Sequence, residues 1–336
     1  MSVSIVDVAK AAGVSHSTVS RVLNNRPGVS PASAERVLTA IRDTGYAHRD
    51  RRPGRKPREH RAVGTTTIGL VMVGVEVDFA RSPVAATVFH AVEAELTERG
   101  YALVVCRVDE SKHLPQLIER SQTDGLLLYG TVPPPSIARI LRTRPSVWLL
   151  SERAGAGYWG DRVGPDNQAI GVAAAEYLIE LGHHRVGMVR LEGQHLGFDL
   201  RARSFREVCE HAGVEVIEYA CDAEGGDRIA EAVCNAPHRP LGLFIPRDRL
   251  TAQVMSGIAR RDSALARAID VMSCDNDPVL DALQRRPATI DIRPREIGRR
   301  AVEQLLARIS KPDAGTRSLL TVEPRLVPAG PPVSSR

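Results

Sequence analysis

Ser4 to Asn24, SIVDVAKAAGVSHSTVSRVLN, holds two short helical patterns separated by a three-residue turn. In the first, Ser4 is a natural N-cap with Asp7 three residues on, an acidic variant of the capping box, and Ile5, Val8, Ala9 and Ala12 share one face. Gly13 ends this helix because it takes positive φ without a Cβ clash; Val14 then tucks under the turn and Ser15 caps the second helix. On the second helix Thr18, Val19, Val22 and Leu23 cluster on one side, leaving His16, Ser17, Ser20 and Arg21 on the other. The stretch reads as a helix-turn-helix. Its polar face has the chemistry to read base edges, since the planar Arg fork bridges guanine O6 and N7, and His and Ser are short donors or acceptors. A helical hairpin with a solvated face would show the same periodicity; the tight Ala12-Gly13-Val14 turn and the basic surroundings favour DNA.

The longer run VSIVDVAKAAGVSHSTVSRVLNNRPGVSPASAERVLTAIRDTGYAHR, with its D-V-A-x-x-A-G-V-S-x-x-T-V-S-R-V-L-N core, resembles the N-terminal domain of the lactose-repressor (LacI/GalR) family of bacterial transcription regulators. The resemblance implies that His16 and Ser17 occupy the variable base-reading pair and Arg21 the major-groove arginine. It also implies that Ser4, Ser15, Thr18, Ser20 and Asn24 make phosphate contacts, which fix position without reading sequence.

Charge divides along the chain in the same sense. Residues 1–62 hold 12 Lys and Arg against 5 Asp and Glu, so of the net +5 they carry +7 and residues 63–336 carry −2. Positive charge therefore concentrates where a phosphate-facing module needs it. The 336 residues suffice for about two domains and a small third. A 43% hydrophobic and 25% charged composition excludes disordered and fibrous classes. No apolar run approaches the roughly 18 residues of a membrane span, and Met1-Ser2-Val3 lacks the regions of a secretory signal, so the expected location is the cytoplasm. Cys106, Cys209, Cys221, Cys234 and Cys274 are scattered and odd in number, which suits reduced core residues and neither disulfides nor a metal site.

After the two-helix unit, Ser30-Pro31 opens a third helix with a stripe of Ala34, Val37, Leu38 and Ile41; Gly45 stops it and Tyr46 folds back to close a three-helix domain. His48 to Arg61, HRDRRPGRKPREHR, has seven Lys or Arg residues and almost nothing apolar, so it packs no core. The family resemblance implies a short hinge helix here whose leucine wedges into the minor groove. This sequence departs from that pattern: no Leu, Ile, Phe or Met lies between Tyr46 and Ile68, and Pro53 and Pro57 disfavour a continuous helix. Arg52-Pro53-Gly54-Arg55-Lys56-Pro57-Arg58 is instead similar to an AT-hook, with Arg52, Arg55, Lys56 and Arg58 the expected minor-groove residues. A solvated basic linker contacting phosphates is the alternative.

From Thr65 the pattern becomes β-α repeats with continuous apolar strands: TIGLVMVG, YALVVC, DGLLLYG and SVWLLS, then, after GDRVGPDN, RVGMVR, VEVIEY, LGLFIP and IDVMSC. Such runs belong to parallel sheets covered on both faces. The resemblance implies an α/β periplasmic-binding-protein-like core of two doubly wound parallel-sheet subdomains. The expected division is 1–47 helix-turn-helix, 48–64 linker and 65–336 effector-binding and dimerisation domain, with subdomains 65–162 plus 293–312 and 163–292 plus 313–330. LLTVEPRLV is thereby assigned whole to the second subdomain.

Ligands of open parallel sheets bind at the strands' carboxyl ends. The loops there place Phe79, Asp166, Arg201, Asp248 and Asp275 as candidate effector residues. By family pattern Asp166-Asn167 matches V-x-x-D-N, Arg201 the arginine of R-x-x-G-F, Asp248 in PRDRLTA the N-D-x-x-A aspartate with Arg in place of Asn, and Asp275 the aspartate of G-F-D. Asp and Arg hold vicinal hydroxyls and aromatic faces stack on sugar rings, so the expected effector is a sugar or sugar derivative. Arg201 and Asp275 are the firmest pair, with an interdomain ion pair as the alternative role. Trp148 reads as core; Trp159 is a possible stacker or a cover for the hinge. His183-His184 follows Gly182 at a helix end and reads as structural.

The leading expectation is a ligand-controlled repressor that binds a palindromic DNA operator as a homodimer, with no cofactor and no catalytic residues. An enzyme has little support, because G-x-x-x-x-G-K-[ST], H-E-x-x-H and G-x-S-x-G are all missing from the sequence. The basic head argues against a sugar-transport receptor. A constitutive nucleoid-type binder with a vestigial pocket is the runner-up.

Overall fold

The computed structural model describes residues 5–23, 29–44, 65–74, 82–108, 114–120, 122–151, 158–192, 196–312 and 315–330, and the chain divides into two compact units, Met1–Ala62 and Val63–Arg336. In the first unit, α1 (Ile5–Ala12) and α2 (His16–Leu23) are followed by α3 (Pro31–Thr44). Gly13 turns the chain at φ +60°, and the Val14 amide donates back to the Ala9 carbonyl at 3.1 Å, closing the end of α1. Val8, Ala9, Ala12, Val19, Val37 and Ala40 form the small core, with Val14, Val22, Leu23 and Ile41 packed around it. Leu38, expected in that core, is 53% exposed; the α3 stripe runs through Val37, Ala40 and Ile41, one step round the helix. Ser4, Asn24, Tyr46 and the basic arm lie outside the described residues.

The second unit has two sheets. The first contains β1 (Thr67–Val73), β2 (Ala102–Val108), β3 (Gly125–Gly130), β4 (Ser146–Leu149) and β5 (Asp161–Pro165), interleaved with α4 (Pro83–Glu98), α5 (Gln116–Glu119) and α6 (Pro135–Leu141). The chain then crosses over and builds α7 (Asn167–Glu180), β6 (Arg185–Leu191), α8 (Leu196–His211), β7 (Glu215–Cys221) and α9 (Gly226–Asn235). It continues through β8 (Gly242–Phe244), α10 (Asp248–Arg261), α11 (Ser263–Ala268), β9 (Asp270–Cys274) and β10 (Ala288–Asp291). After a second crossover come α12 (Pro294–Ser310) and β11 (Leu319–Val322), then a third crossover to β12 (Arg325–Val327). Strand orders are β2-β1-β3-β4-β5-β11 and β7-β6-β8-β9-β10-β12. Every pairing is parallel except β12 on β10.

Helices cover both faces of both sheets, which is why the strands are apolar on alternate and intervening positions alike; Leu126, Leu127 and Leu128 are all fully buried. Helices α7 and α8 approach so closely that a Cβ on Gly171 would stand 2.3 Å from the Arg201 carbonyl oxygen. That approach fixes where Arg201 begins.

Three expectations need correction. First, 163–165 and 319–322 belong to the first sheet, where β11 runs parallel to β5 from Leu319 opposite Arg162 to Val322 opposite Pro165; only 325–327 joins the second. LLTVEPRLV is therefore two strands in two sheets, broken at Glu323-Pro324. Second, the β-α repeat is not strict, since α10 and α11 both lie between β8 and β9 and a 3-10 turn at Pro278–Ala282 stands between β9 and β10; α11 is capped by Asp262, whose Oδ1 accepts from the Leu265 amide at 2.9 Å. Third, Trp159 is no stacker: it is 5% exposed, packs edge-to-face on Trp148 at 5.3 Å and donates its Nε1–H to Ser146 Oγ at 3.3 Å.

One buried polar knot ties the first subdomain together. Asp161, at the start of β5, is 0% exposed. Its carboxylate accepts from Arg308 Nη2 at 2.7 Å and Nε at 2.9 Å, Gln304 Nε2 at 3.0 Å and the Ser318 amide at 2.9 Å. Burial pushes its pKa up, but the hydrogen bonds from Arg308, Gln304 and Ser318 outweigh it and hold the carboxyl below its usual value. All five cysteines are buried free thiols. His183 Nε2 lies 3.2 Å from Asp270 Oδ2, a partner within the fold.

Candidate functional site

Two sites emerge, one in each unit. In the first, Ser15 accepts a hydrogen bond from the Thr18 amide at 3.2 Å, and its hydroxyl also meets those of Thr18 at 2.9 Å and Ser17 at 2.8 Å. A single cap therefore starts α2 and gathers three of the predicted DNA-contacting hydroxyls at its N-terminus. Val19, fully buried, pins the opposite side of the helix to the core, so His16, Ser17 and Arg21 are held outward and exposed. Thr18 is half-buried beside them, and Ser20 shares the helix. This is an exposed, cationic, donor-rich face on a two-turn helix.

The second site is a cavity of about 240 Å³ between the two subdomains, at the carboxyl ends of their strands. Its first-subdomain wall is Ser82, Pro83 and Val84 at the start of α4, Tyr129 at the end of β3, and Leu150. Its second-subdomain floor holds Asn167, Phe198, Arg201, Arg247, Arg249, Asp275 and Asp277.

Arg201 is the centre of that floor. It is 5% exposed, donates Nε–H to Asn167 Oδ1 at 2.7 Å and Nη1–H to the Pro246 carbonyl at 2.8 Å, and lies 5.0 Å from the Phe198 ring centroid. Its Nη1 stands 4.0 Å from Asp275 Oδ1. With three sides of the guanidinium fixed by protein, the fork is preorganised to receive a ligand. Asp275 sits at φ +119° and Asn276 at φ +57°, backbone that disfavours side chains other than glycine and is kept here by the packing around it. Burial pushes the Asp275 carboxyl up to about 7, against the pull of Arg201 and with the help of Asp248.

Of the predicted effector residues, the structure brings Arg201 and Asp275 to one cavity. Asp166 and Asp248 do not reach it. Asp166 caps α7, its Oδ1 accepting from the Ala169 amide at 3.0 Å, and the neighbouring Asn167 faces the cavity instead. Asp248 is fully buried beneath the Asp275–Asp277 loop, accepting from Ser273 Oγ, from Thr289 Oγ1 at 2.9 Å and from the Asp277 amide at 2.6 Å. Burial is the largest influence on it and leaves its pKa raised despite those bonds. It is a strut that shapes the loop. Phe79 lies outside the described residues, and the aromatic face beside Arg201 belongs to Phe198, whereas Phe205 stacks on Phe244 at 4.9 Å in the core. Sequence reading missed Tyr129, Phe198, Arg247, Arg249 and Asp277 as lining residues. The clue for the two arginines was alternation in PRDRLTA: at the start of α10, Asp248 points inward and its neighbours flank it.

Comparison with known proteins agrees with both halves. Residues 4–48 match the lacI family of bacterial regulatory proteins, and residues 175–330 match the periplasmic binding protein-like domain. The ribose operon repressor of Escherichia coli strain K12 is 29% identical over 318 residues, covering 91% of this chain and 93% of that protein. The HTH-type transcriptional repressor PurR of Haemophilus influenzae strain PittEE is 25% identical over 334 residues and 96% of each chain. Among solved structures, the transcriptional regulator CelR–cellobiose complex superposes with a TM-score of 0.66 at 23% identity, covering 97% of this chain and 99% of that one. Among the described residues no helix is long and apolar enough to cross a membrane. A helix-turn-helix of this sequence, two parallel-sheet subdomains exchanging strands at three crossovers, and relatives alike over nine-tenths of the length lead to one assignment: the chain belongs to the lacI family of bacterial regulatory proteins, DNA-binding regulators of transcription and not enzymes.

Proposed function

We propose that this protein represses carbohydrate-utilisation genes from the cytoplasm, binding a palindromic operator as a homodimer and responding to a sugar or sugar derivative held at Arg201 and Asp275. The observation that carries the effector reading is the Arg201 guanidinium, buried, stacked on Phe198 and clamped by Asn167 and Pro246 beside the Asp275 carboxyl. A ligand that bridges this floor to the Tyr129 and Pro83 wall favours one closure of the two subdomains, and it changes operator affinity only by its differential affinity for the closure states. Quantitative footprinting of the genomic sites, with and without a sugar panel, tests this. An effector shifts operator occupancy, and at about 100 times its Kd it stabilises the protein by about 2.7 kcal/mol in thermal denaturation. Occupancy that no sugar alters would favour constitutive binding.

On the DNA side, His16, Ser17 and Arg21 read bases, while Ser4, Ser15, Thr18, Ser20 and Asn24 position the helix on phosphates. Arg21→Ala should weaken the cognate site by about 1–3 kcal/mol and relax the preference at one base pair, measured by mobility shift against a panel of single-base variants. Loss of equal size on every sequence would make Arg21 a phosphate contact. In the division into residues 1–47, 48–64 and 65–336, the basic arm has a separate role, with Arg52, Arg55, Lys56 and Arg58 lying extended in a narrow A·T-rich minor groove. Arg55→Ala should lower affinity for A·T-centred operators more than for G·C-centred ones, and an equal fall for both would sink groove reading.

A further inference from the structure

The cavity floor has an unbalanced charge, and that imbalance narrows the ligand; the inference rests on the reading above that this cavity holds the effector. Among the described residues, three guanidinium groups line it, those of Arg201, Arg247 and Arg249, against the two carboxylates of Asp275 and Asp277. Asp277 and Arg249 offset one another in part, with Asp277 Oδ2 3.6 Å from Arg249 Nε and Oδ1 accepting from the Val279 amide at 2.9 Å, which leaves Arg201 and Arg247 against Asp275. Asp275, with its carboxyl near 7, carries only part of its charge at neutral pH. The opposite wall offers Tyr129 and Ser82 among Pro83, Val84 and Leu150, and no described charged side chain. Arg247 lines the cavity and lies close enough to Tyr129 on the wall and Asp275 on the floor for its charge to bear on both.

A neutral polyol does not suit such a lining. Guanidinium groups donate and never accept, and closing a ligand over an excess of positive charge is costly unless a counter-charge enters with it. A carboxylate or phosphate takes two parallel N–H bonds from an arginine fork and removes that cost. We propose that the effector is an anionic sugar derivative whose carboxylate or phosphate is seated at Arg247 and Arg249 while its hydroxyls meet Arg201, Asp275 and Asn167. The two arginines thereby select the ligand's charge, and Arg201 with Asp275 selects its polyol.

Isothermal titration of the full chain tests this with D-ribose and D-glucose as neutral probes. Their charged counterparts are D-ribose 5-phosphate, D-glucose 6-phosphate and D-gluconate, and inorganic phosphate is the bare anion. At least one charged sugar should bind about tenfold or more tightly than its neutral parent and than inorganic phosphate. Gluconate alone or the phosphates alone showing the preference supports the proposal and assigns the anion. Arg247→Gln should cut the charged sugar's affinity about tenfold or more and leave the neutral parent's within about twofold; Arg249→Gln serves as the second variant. Neutral sugars binding as well as charged ones would overturn the anionic effector and leave the sugar-effector reading standing. Inorganic phosphate binding as tightly as the sugar phosphates would reduce the site to an anion seat and overturn the proposal. Equal losses for charged and neutral ligands in Arg247→Gln would do the same. No binding by any probe would remove both this inference and the sugar-effector reading.

Discussion

Asp161→Ala should destabilise the effector-binding unit by about 3–5 kcal/mol, the cost of leaving one member of a buried ion pair alone. The Arg308 side chain is only 16% exposed, and in the variant its Nε and Nη2, Gln304 Nε2 and the Ser318 amide all lose the carboxylate, with Nη2 keeping the Thr316 carbonyl and Gln304 Nε2 the Ser318 hydroxyl. Those four donors come from α12 and the segment leading into β11, so the loss loosens the edge where β5, α12 and β11 meet. Urea denaturation at neutral pH reads the effect as a lower midpoint at unchanged slope. Asp161→Leu combined with Arg308→Met should recover most of the loss, since an apolar pair needs no solvation. The pH dependence has a definite sign. The folded-state carboxyl is depressed, so its contribution is complete above the unfolded value near 3.8 and is lost as pH falls through the lower folded value. A cost for Asp161→Ala below about 1 kcal/mol would mean that water replaces the carboxylate and that the knot is dispensable.

Asp275→Asn should have the opposite effect on stability. The Asp275 carboxyl is raised from 3.8 to about 7 by burial, with Asp248 and Asp277 reinforcing the shift and Arg201 and Arg247 opposing it. Between about pH 4 and 7 the folded chain keeps a proton that the unfolded chain has released, so this group's contribution falls as pH rises and is at its lowest above 7. An amide has no charge to bury, and Asn at this position meets the same backbone, at φ +119°, that Asp already adopts. The variant should therefore be more stable than the parent by about 2–4 kcal/mol at pH 8, with the gap shrinking steadily toward pH 4. The same variant should lose effector response, because the acceptor beside Arg201 is weakened. Stability gained where binding is lost is the mark of a site that evolved against its own packing. A gap that does not change with pH would show that Asp275 is ionised in the fold at no cost.

From Gly13 onward the helix-turn-helix was legible because its information is local: a glycine, the Ser15 cap, and an apolar stripe at helical spacing. The two sheets were legible because strands buried on both faces must be apolar throughout. What the sequence concealed is direction. Asp166 and Asp248 were placed in the cavity because acids at strand ends suit sugars, yet each precedes or begins a helix, where a carboxylate finds backbone amides or neighbouring hydroxyls first. The signal for Asp166 was present, since an aspartate just before NQAIGVAAAEYL is a preferred N-cap. Leu38 was misassigned because a position one step round a helix changes from core to solvent in a domain this small. The split of LLTVEPRLV between two sheets depends on partners more than 150 residues away for β11, which no local pattern encodes; only Pro324 hinted at the break.

That split also sets the order in which the protein is completed during synthesis. Because β11 closes the edge of a sheet whose other strands end at Pro165, the ribosome must translate the whole of the intervening subdomain before the first one has its last strand. Until then β5 shows an open edge and Asp161 waits for Arg308 and Ser318. The helix-turn-helix head, whose described core lies within residues 8–41, is made before the sheets, while the other unit matures only after residues 319–327 emerge. A nascent or truncated chain is therefore a repressor head without a regulator, and the cell gains by clearing it quickly.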